Sequence, residues 1–337
     1  MPLAAGPWRQ AVDELKSSNL AHSPEWLTAI RSAYGHDPIY LSAEDEDGHP
    51  GLLPAFVVRR PLFGTVITSM PFLDTGGPCS SSTALANLLV DRLVGEASRV
   101  GAASVELRCT QRLALADPPM ENKVGLTLDL PQDPDRLWQK IGGTLRNQVR
   151  KAQRSGLSVE FGGAENLTAF YDTFVVRMRD LGSPVHASSF LRAVVDSFGS
   201  RARIVLVRKG PVTVGGLIAL AFKDTLAVPW ATCLKEYFPL CPNMLLYWET
   251  LRAACTDGFR RFDFGRSTRD SGTYRFKVQW GAREQPLFWY TIPVAARRAT
   301  TTSAAGHGAV LVSRIWQRLP LAVTRNLGPR IRRYLVQ

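Results

Sequence analysis

The chain has 337 residues, 45% of them hydrophobic, and a formal net charge of +12. That length and apolar content describe a folded globular protein long enough for two domains, and they exclude a disordered or collagen-like chain. Five scattered cysteines (Cys79, Cys109, Cys233, Cys241, Cys255) form no CxxC pair and are odd in number, which argues for a reducing compartment and against a disulfide framework or a metal site. No charged start leads into an apolar core, and no uncharged apolar run reaches the roughly eighteen residues of a membrane span, so a cytoplasmic location is expected.

In chain order, "EWLTAIRSAYG" (25–35) reads as a helix ended by Gly35. "YLSAEDEDGHPGLLPAFVV" follows as a hairpin turning at Asp47-Gly48, and "FGTVITSM" as a third strand. The helical stretch "TALANLLVDRLVGEASRV" then stops at Gly101, before the short strand "SVELR". After a basic helix, "LRNQVRKAQRSG", the same order recurs. "SFLRAVVDSFG" is a helix, "RIVLVRKGPVTVGGLIALAF" a hairpin turning at Lys209-Gly210, and "TLAVPWATC" a third strand. "NMLLYWETLRAACTD" is a helix closed by Gly258, and "RRFDFG" a final parallel strand.

The two runs align with Trp26 on Phe190, Gly35 on Gly199, Gly101 on Gly258 and Glu106 on Asp263. We therefore read one unit used twice: residues 1–140, a connecting basic helix 141–155, and residues 156–296, whose last strand is "PLFWYTIPV". A basic tail, 297–337, completes the chain. Between "RFDFG" and "PLFWYTIPV" lies "RSTRDSGTYRFKVQWG", read as a polar loop returning as a strand and presenting Asp263, Arg266, Tyr274 and Lys277.

A meander of three strands followed by a helix and a parallel strand is the plan of the GNAT acyltransferase fold, an α/β fold with mixed sheets flanked by helices. Two such units in tandem resemble the Fem family of peptidoglycan-bridge aminoacyltransferases and their GNAT-like relatives. "PNMLLYWE", "DFGRS" and "FKVQWG" carry the resemblance, particularly to a branch associated with exopolysaccharide and protein-sorting loci. "SPEWL…YGHDPIYL", "SMPFLDTGGP" and "IWQRLPLAVTRNLGPRIRRYL" add weaker matches.

The resemblance implies transfer of an acyl or aminoacyl group to an amine, with an acyl-CoA or an aminoacyl-tRNA as co-substrate and no tightly bound cofactor. It implies a lysine near the reacting centre, here Lys277; the residues alone favour a solvated lysine on an alternating strand. Asp263, between Phe262 and Phe264, is either a base with a raised pKa or a partner of Arg266 or Arg108. His186 stands where the family's aminoacyltransferases have an arginine four residues before a tyrosine. Here the pair is His186 and Phe190, a departure that argues against a nucleotide-linked muropeptide acceptor and leaves His186 as a candidate general base or a solvated loop residue.

Arg266, Ser267, Tyr274 and Phe276 are expected to bind substrate or donor, with Trp230 and Tyr247 lining the pocket and Asn243 capping the helix that meets the donor's phosphates. No GxSxG, GxxxxGK[ST] or HExxH is present. A catalytically idle GNAT-like binding module is the alternative from a different class.

From Thr291 to Gln337 there are eight arginines (Arg297, Arg298, Arg314, Arg318, Arg325, Arg330, Arg332, Arg333) and no Asp or Glu. "VLVSRIWQRLPL" sets Val312, Ile315, Trp316 and Leu319 on one helical face. Residues 309–337 thus suit an anionic membrane surface, or docking of that face on the protein with the arginines solvated or on tRNA phosphates. Sequence-specific nucleic-acid binding is not expected.

Overall fold

The structure, a computed structural model, describes residues 5–61, 63–294 and 305–336. It opens with α1 (Ala5–Glu14), α2 (Glu25–Tyr34), β1 (Asp37–Glu44), β2 (Pro50–Arg60), β3 (Gly64–Thr68), β4 (Cys79–Ser80), α3 (Thr83–Arg99) and β5 (Ser104–Cys109). Then come β6 (Lys123–Asp129), α4 (Pro134–Lys140), α5 (Gly143–Arg154), β7 (Leu157–Gly162), α6 (Leu167–Asp180) and α7 (Ser188–Phe198). They are followed by β8 (Ala202–Lys209), β9 (Val212–Phe222), β10 (Thr225–Cys233), α8 (Pro242–Thr256) and β11 (Arg261–Thr268). The chain continues with α9 (Gly272–Val278), β12 (Arg283–Pro286), β13 (Phe288–Pro293), α10 (Ala305–Arg318) and α11 (Leu321–Arg332).

Two compact units result. The first is Met1–Lys123 with Pro286–Ala305 and Arg333–Gln337, and the second is Val124–Gln285 with Gly306–Arg332. In the first, the sheet order is β1-β2-β3-β5-β13, with β4 paired to β2. The β1–β2 hairpin turns where expected, at Gly48 with φ 79, a conformation that glycine adopts without steric cost. Helix α3 lays Leu85, Leu89, Leu93 and Ala97, spaced by four, against the sheet. Ser82 caps its start by accepting from Leu85 N.

The second unit's sheet runs β12-β6-β11-β10-β9-β8-β7. Its core gathers Leu217, Leu226 and Phe262 from the sheet with Leu246, Leu251 and Ala254 of α8.

Both units thread the same path: helix, antiparallel hairpin, third strand, helix, then a strand parallel to the third. The parallel ladder ends at equivalent places, Thr68↔Glu106 in one and Ala227↔Asp263 in the other. The boundaries differ from those drawn on the sequence. Strand β6 and helices α4 and α5 belong to the second unit, where Leu126, Leu137 and Leu145 enter its core. Strand β13, expected to close the second half, pairs antiparallel with β5 through Tyr290↔Leu107 in the first. Each sheet thus receives a strand from the other half of the chain, β6 between β12 and β11 in one and β13 beside β5 in the other, because a short amphipathic strand is placed by the neighbours that bury it.

Candidate active site

The site is built where two parallel strands part. β10 and β11 pair from Thr225↔Arg261 to Ala227↔Asp263 and no further. β10 has a register shift against β9 between Ala227 and Trp230, and Pro229 within it has no N–H to offer a neighbour. β11 turns away at Gly265, whose φ is 70. Past the fork, backbone groups of both strands are released from their mutual ladder.

Asp263 sits at the fork, its Oδ1 accepting from Gly265 N at 2.8 Å. Ser267, further along the parted strand, is 4% exposed, and its Oγ has no hydrogen-bond partner among the described residues. Such a buried orphan is costly unless something fills the site.

The stretch expected to return as a strand is instead helix α9, started by Ser271, whose Oγ accepts from Tyr274 N. Lys277, in its last turn, is therefore on a helix and buried at 9% exposure rather than solvated on a strand. Its Nζ donates to Gly265 O at 3.0 Å and to Arg266 O at 2.7 Å. The ammonium thereby holds open the turn that separates β11 from β10. Phe276 meets Tyr247 edge-on at 5.0 Å, and Tyr247 stacks on Phe264 at 5.5 Å. Burial pushes the Tyr247 phenol well above its usual range.

Tyr274 faces another group: its hydroxyl donates to Glu284 Oε1 at 2.7 Å, which raises Tyr274 and lowers Glu284. Asn243 does not cap α8. That role falls to Cys241, in the left-handed region at φ 58, with Pro242 as the first helical residue and no side-chain cap.

His186 packs against Trp230, which stands on β10 three residues past the last pair at the fork. His186 is 2% exposed, stacked on Phe190 at 4.8 Å and edge-on to Trp230 at 6.0 Å. Its Nε2 accepts from Arg332 Nε at 3.1 Å, so the imidazole is a packed, engaged group rather than a solvated one. Burial, then the charge of Arg332, lowers its pKa well below 6.5.

A folded-state pKa below the unfolded value means that the unfolded chain binds the extra proton. The stability from neutral His186 is complete above about pH 6.5 and is lost as pH falls towards the folded value. Thermal unfolding followed between neutral and mildly acidic pH is expected to show this decline, and His186→Gln is expected to flatten it. An unchanged slope in the variant would remove His186 as its source.

Nothing in the sequence links Arg332 to His186, 146 residues away. The tail's described helices dock within the second unit: Trp316 is 6% exposed, and Arg325 pairs with Asp172 at 2.7 Å. The expected apolar face is thus divided, Trp316 turning inward while Val312 and Ile315 stay exposed. Arg297 and Arg298 lie outside the described residues.

In the first unit the equivalent fork is filled. Arg108, 2% exposed, aligns with Gly265 in the repeat, and its guanidinium donates to Met70 O at 3.2 Å and to Leu73 O and Val336 O. It also lies over the Trp289 ring at 5.0 Å.

Residues 140–278 match the acetyltransferase (GNAT) domain. That span includes the fork, α8 and Lys277, and it marks this part of the chain as an acyltransferase domain. The whole fold is similar to that of FemX, at 14% identity over 87% of this chain and 97% of that one, with a TM-score of 0.64. It is also similar to the C-terminal domain of a putative lysylphosphatidylglycerol synthetase from Agrobacterium fabrum (12% identity, 86% and 92% covered, TM-score 0.53). A tandem GNAT protein from the clavulanic acid biosynthesis pathway is a third (11% identity, 86% and 95% covered, TM-score 0.52). At these identities the likeness concerns the fold, two GNAT-like units in tandem. No curated protein matches the chain.

Proposed function

We propose that the second unit transfers an acyl group from an acyl-CoA to an amine of a cell-envelope or exopolysaccharide precursor. The observation that carries this reading is the fork between β10 and β11 inside the matched domain, with backbone groups and Ser267 Oγ left for a donor. A pantetheine arm laid in the fork would pair with the released backbone groups like an added strand. The N-terminus of α8, which has no side-chain cap, would face the donor's phosphates.

The neutral amine nitrogen attacks the thioester carbonyl, the new C–N bond forms, the C–S bond breaks, and the thiolate leaves and takes up the proton that the nitrogen sheds, giving the free thiol. A fork held rigid by Lys277 and Asp263 supplies orientation of the reacting groups. Among the described residues no helix is long and apolar enough to cross a membrane; we place the enzyme in the cytoplasm, working on precursors at the inner membrane face.

A second reading takes aminoacyl-tRNA as donor. It is favoured by α5, which exposes Arg150, Lys151 and Arg154 and contains no Asp or Glu. Thermal-shift titration with acetyl-CoA, longer acyl-CoAs and charged tRNA separates the readings. Saturable stabilisation by an acyl-CoA, about 2.7 kcal/mol at a hundredfold excess over Kd, is expected. Stabilisation by charged tRNA alone would move the reaction to aminoacyl transfer, and a response to neither would leave an idle binding module.

A further inference from the structure

Helix α10 presents a surface that the fold leaves uncovered. Its inward side is fixed: Trp316 is buried, and Ser313 lies so close to Gly182 that a Cβ there would meet Ser313 Oγ at 1.9 Å. The opposite side carries Leu311, Val312 and Ile315, 59%, 64% and 53% exposed. At 100° per residue these three share one face, and Arg314 and Arg318 flank it. Helix α11 repeats the arrangement with Val323 and Leu327, 41% and 40% exposed, four residues apart, and with exposed Arg330. No carboxylate occurs from Thr291 onward to balance these arginines.

Two helices fixed along their inner sides, each showing aliphatic side chains bordered by arginine, are an interfacial design. The aliphatic groups enter the acyl boundary, and the long arginine stems carry their charge up to the headgroups. We propose that α10 and α11 form a docking surface for a phospholipid bilayer bearing anionic headgroups, with Leu311, Val312 and Ile315 inserting and Arg314, Arg318 and Arg330 pairing with lipid phosphates. A purely apolar partner would leave the arginines unmatched, and a purely polyanionic one would leave the aliphatic face in water. This surface gives the precursor-acylating reading its membrane face, but it uses none of the residues assigned to the fork and does not depend on which donor the fork takes.

The test is co-sedimentation of the full chain with vesicles of phosphatidylcholine alone and of equimolar phosphatidylcholine and phosphatidylglycerol, at low and high salt. Binding is expected only to the anionic vesicles, and weakened by salt. Arg314→Gln/Arg318→Gln is expected to bind about thirtyfold more weakly, and Leu311→Gln/Ile315→Gln about tenfold more weakly. Unchanged thermal unfolding would confirm that both variants fold. Loss through the arginine pair with no effect of the aliphatic pair would overturn the proposal in favour of a polyanion such as RNA. Absence of vesicle binding together with a dimer in light scattering that the aliphatic variant abolishes would overturn it in favour of a second copy of the chain. Equal binding by wild type and both variants would also overturn it. The acyl-CoA thermal shift, measured on the same samples, reports the fork independently, so failure of one reading leaves the other visible.

Discussion

Lys277→Met is expected to remove acyl transfer while leaving a folded protein. Methionine keeps most of the stem's packing in α9, but it cannot donate to the carbonyls of Gly265 and Arg266, now bonded at 3.0 and 2.7 Å. Two charge-assisted bonds to partly buried acceptors are lost, a destabilisation of about 2–4 kcal/mol. The larger effect is geometric. Gly265 sits in the left-handed region because β11 must turn out from β10 there, and the ammonium ties that turn to α9. A reacting centre displaced by about 1 Å costs on the order of a hundredfold in rate, so turnover is expected to fall by at least that much. Acyl transfer by purified wild type and variant, alongside thermal unfolding, tests it. A folded variant with undiminished turnover would show that the turn holds without the lysine.

That role for Lys277 could not be read from "GTYRFKVQWG". Over so few residues the alternation of Tyr274, Phe276 and Val278 fits a strand, while Tyr274 and Val278, four apart, also fit one side of a short helix. The helical signal was present: Ser271 stands three residues before Tyr274, as an N-cap does, and Phe276 and Trp280 are spaced by four and meet at 6.4 Å.

The repeat was legible because its marks are local. Gly48 and Gly210 take the positive φ that a tight hairpin turn needs, and Gly101 and Gly258 the positive φ that a helix end needs. The two exchanged strands were not legible. Nothing in "KVGLTLD" or "FWYTIP" states which sheet edge will bury it, and the choice is made by partners far away in the chain. Asn243 looked like a cap by residue type, but Pro242 had already begun the helix, which moves the cap to Cys241. Arg332 and His186 illustrate the same limit, since a contact across the core of a unit leaves no spacing to detect.

Arg108→Met is expected to be the most destabilising of these substitutions. The guanidinium is bonded to the carbonyls of Met70, Leu73 and Val336, and the first two belong to a segment in which Met70 and Phe72 hold φ values of 45 and 72. Non-glycine residues there cost about 1–3 kcal/mol each, and the segment keeps this shape because Arg108 gathers its carbonyls inward. Without the guanidinium, Leu73 O loses its donor, Met70 O and Val336 O keep only backbone bonds of 3.3 Å from Leu73 N and Phe72 N, and the contact over Trp289 is lost, a combined penalty of about 3–5 kcal/mol. Calorimetry is expected to show the first unit melting earlier, as a separate transition. A single unshifted transition would mean that the segment is held by other contacts. In the second unit the aligned residue is Gly265, which has no side chain to fill the fork. The same duplicated joint is thus closed by an arginine in one unit and left open by a glycine in the other, and that difference is why acyl transfer is assigned to the second. If so, Arg108→Met should leave the acyl-CoA shift of the second unit intact while the first unit unfolds.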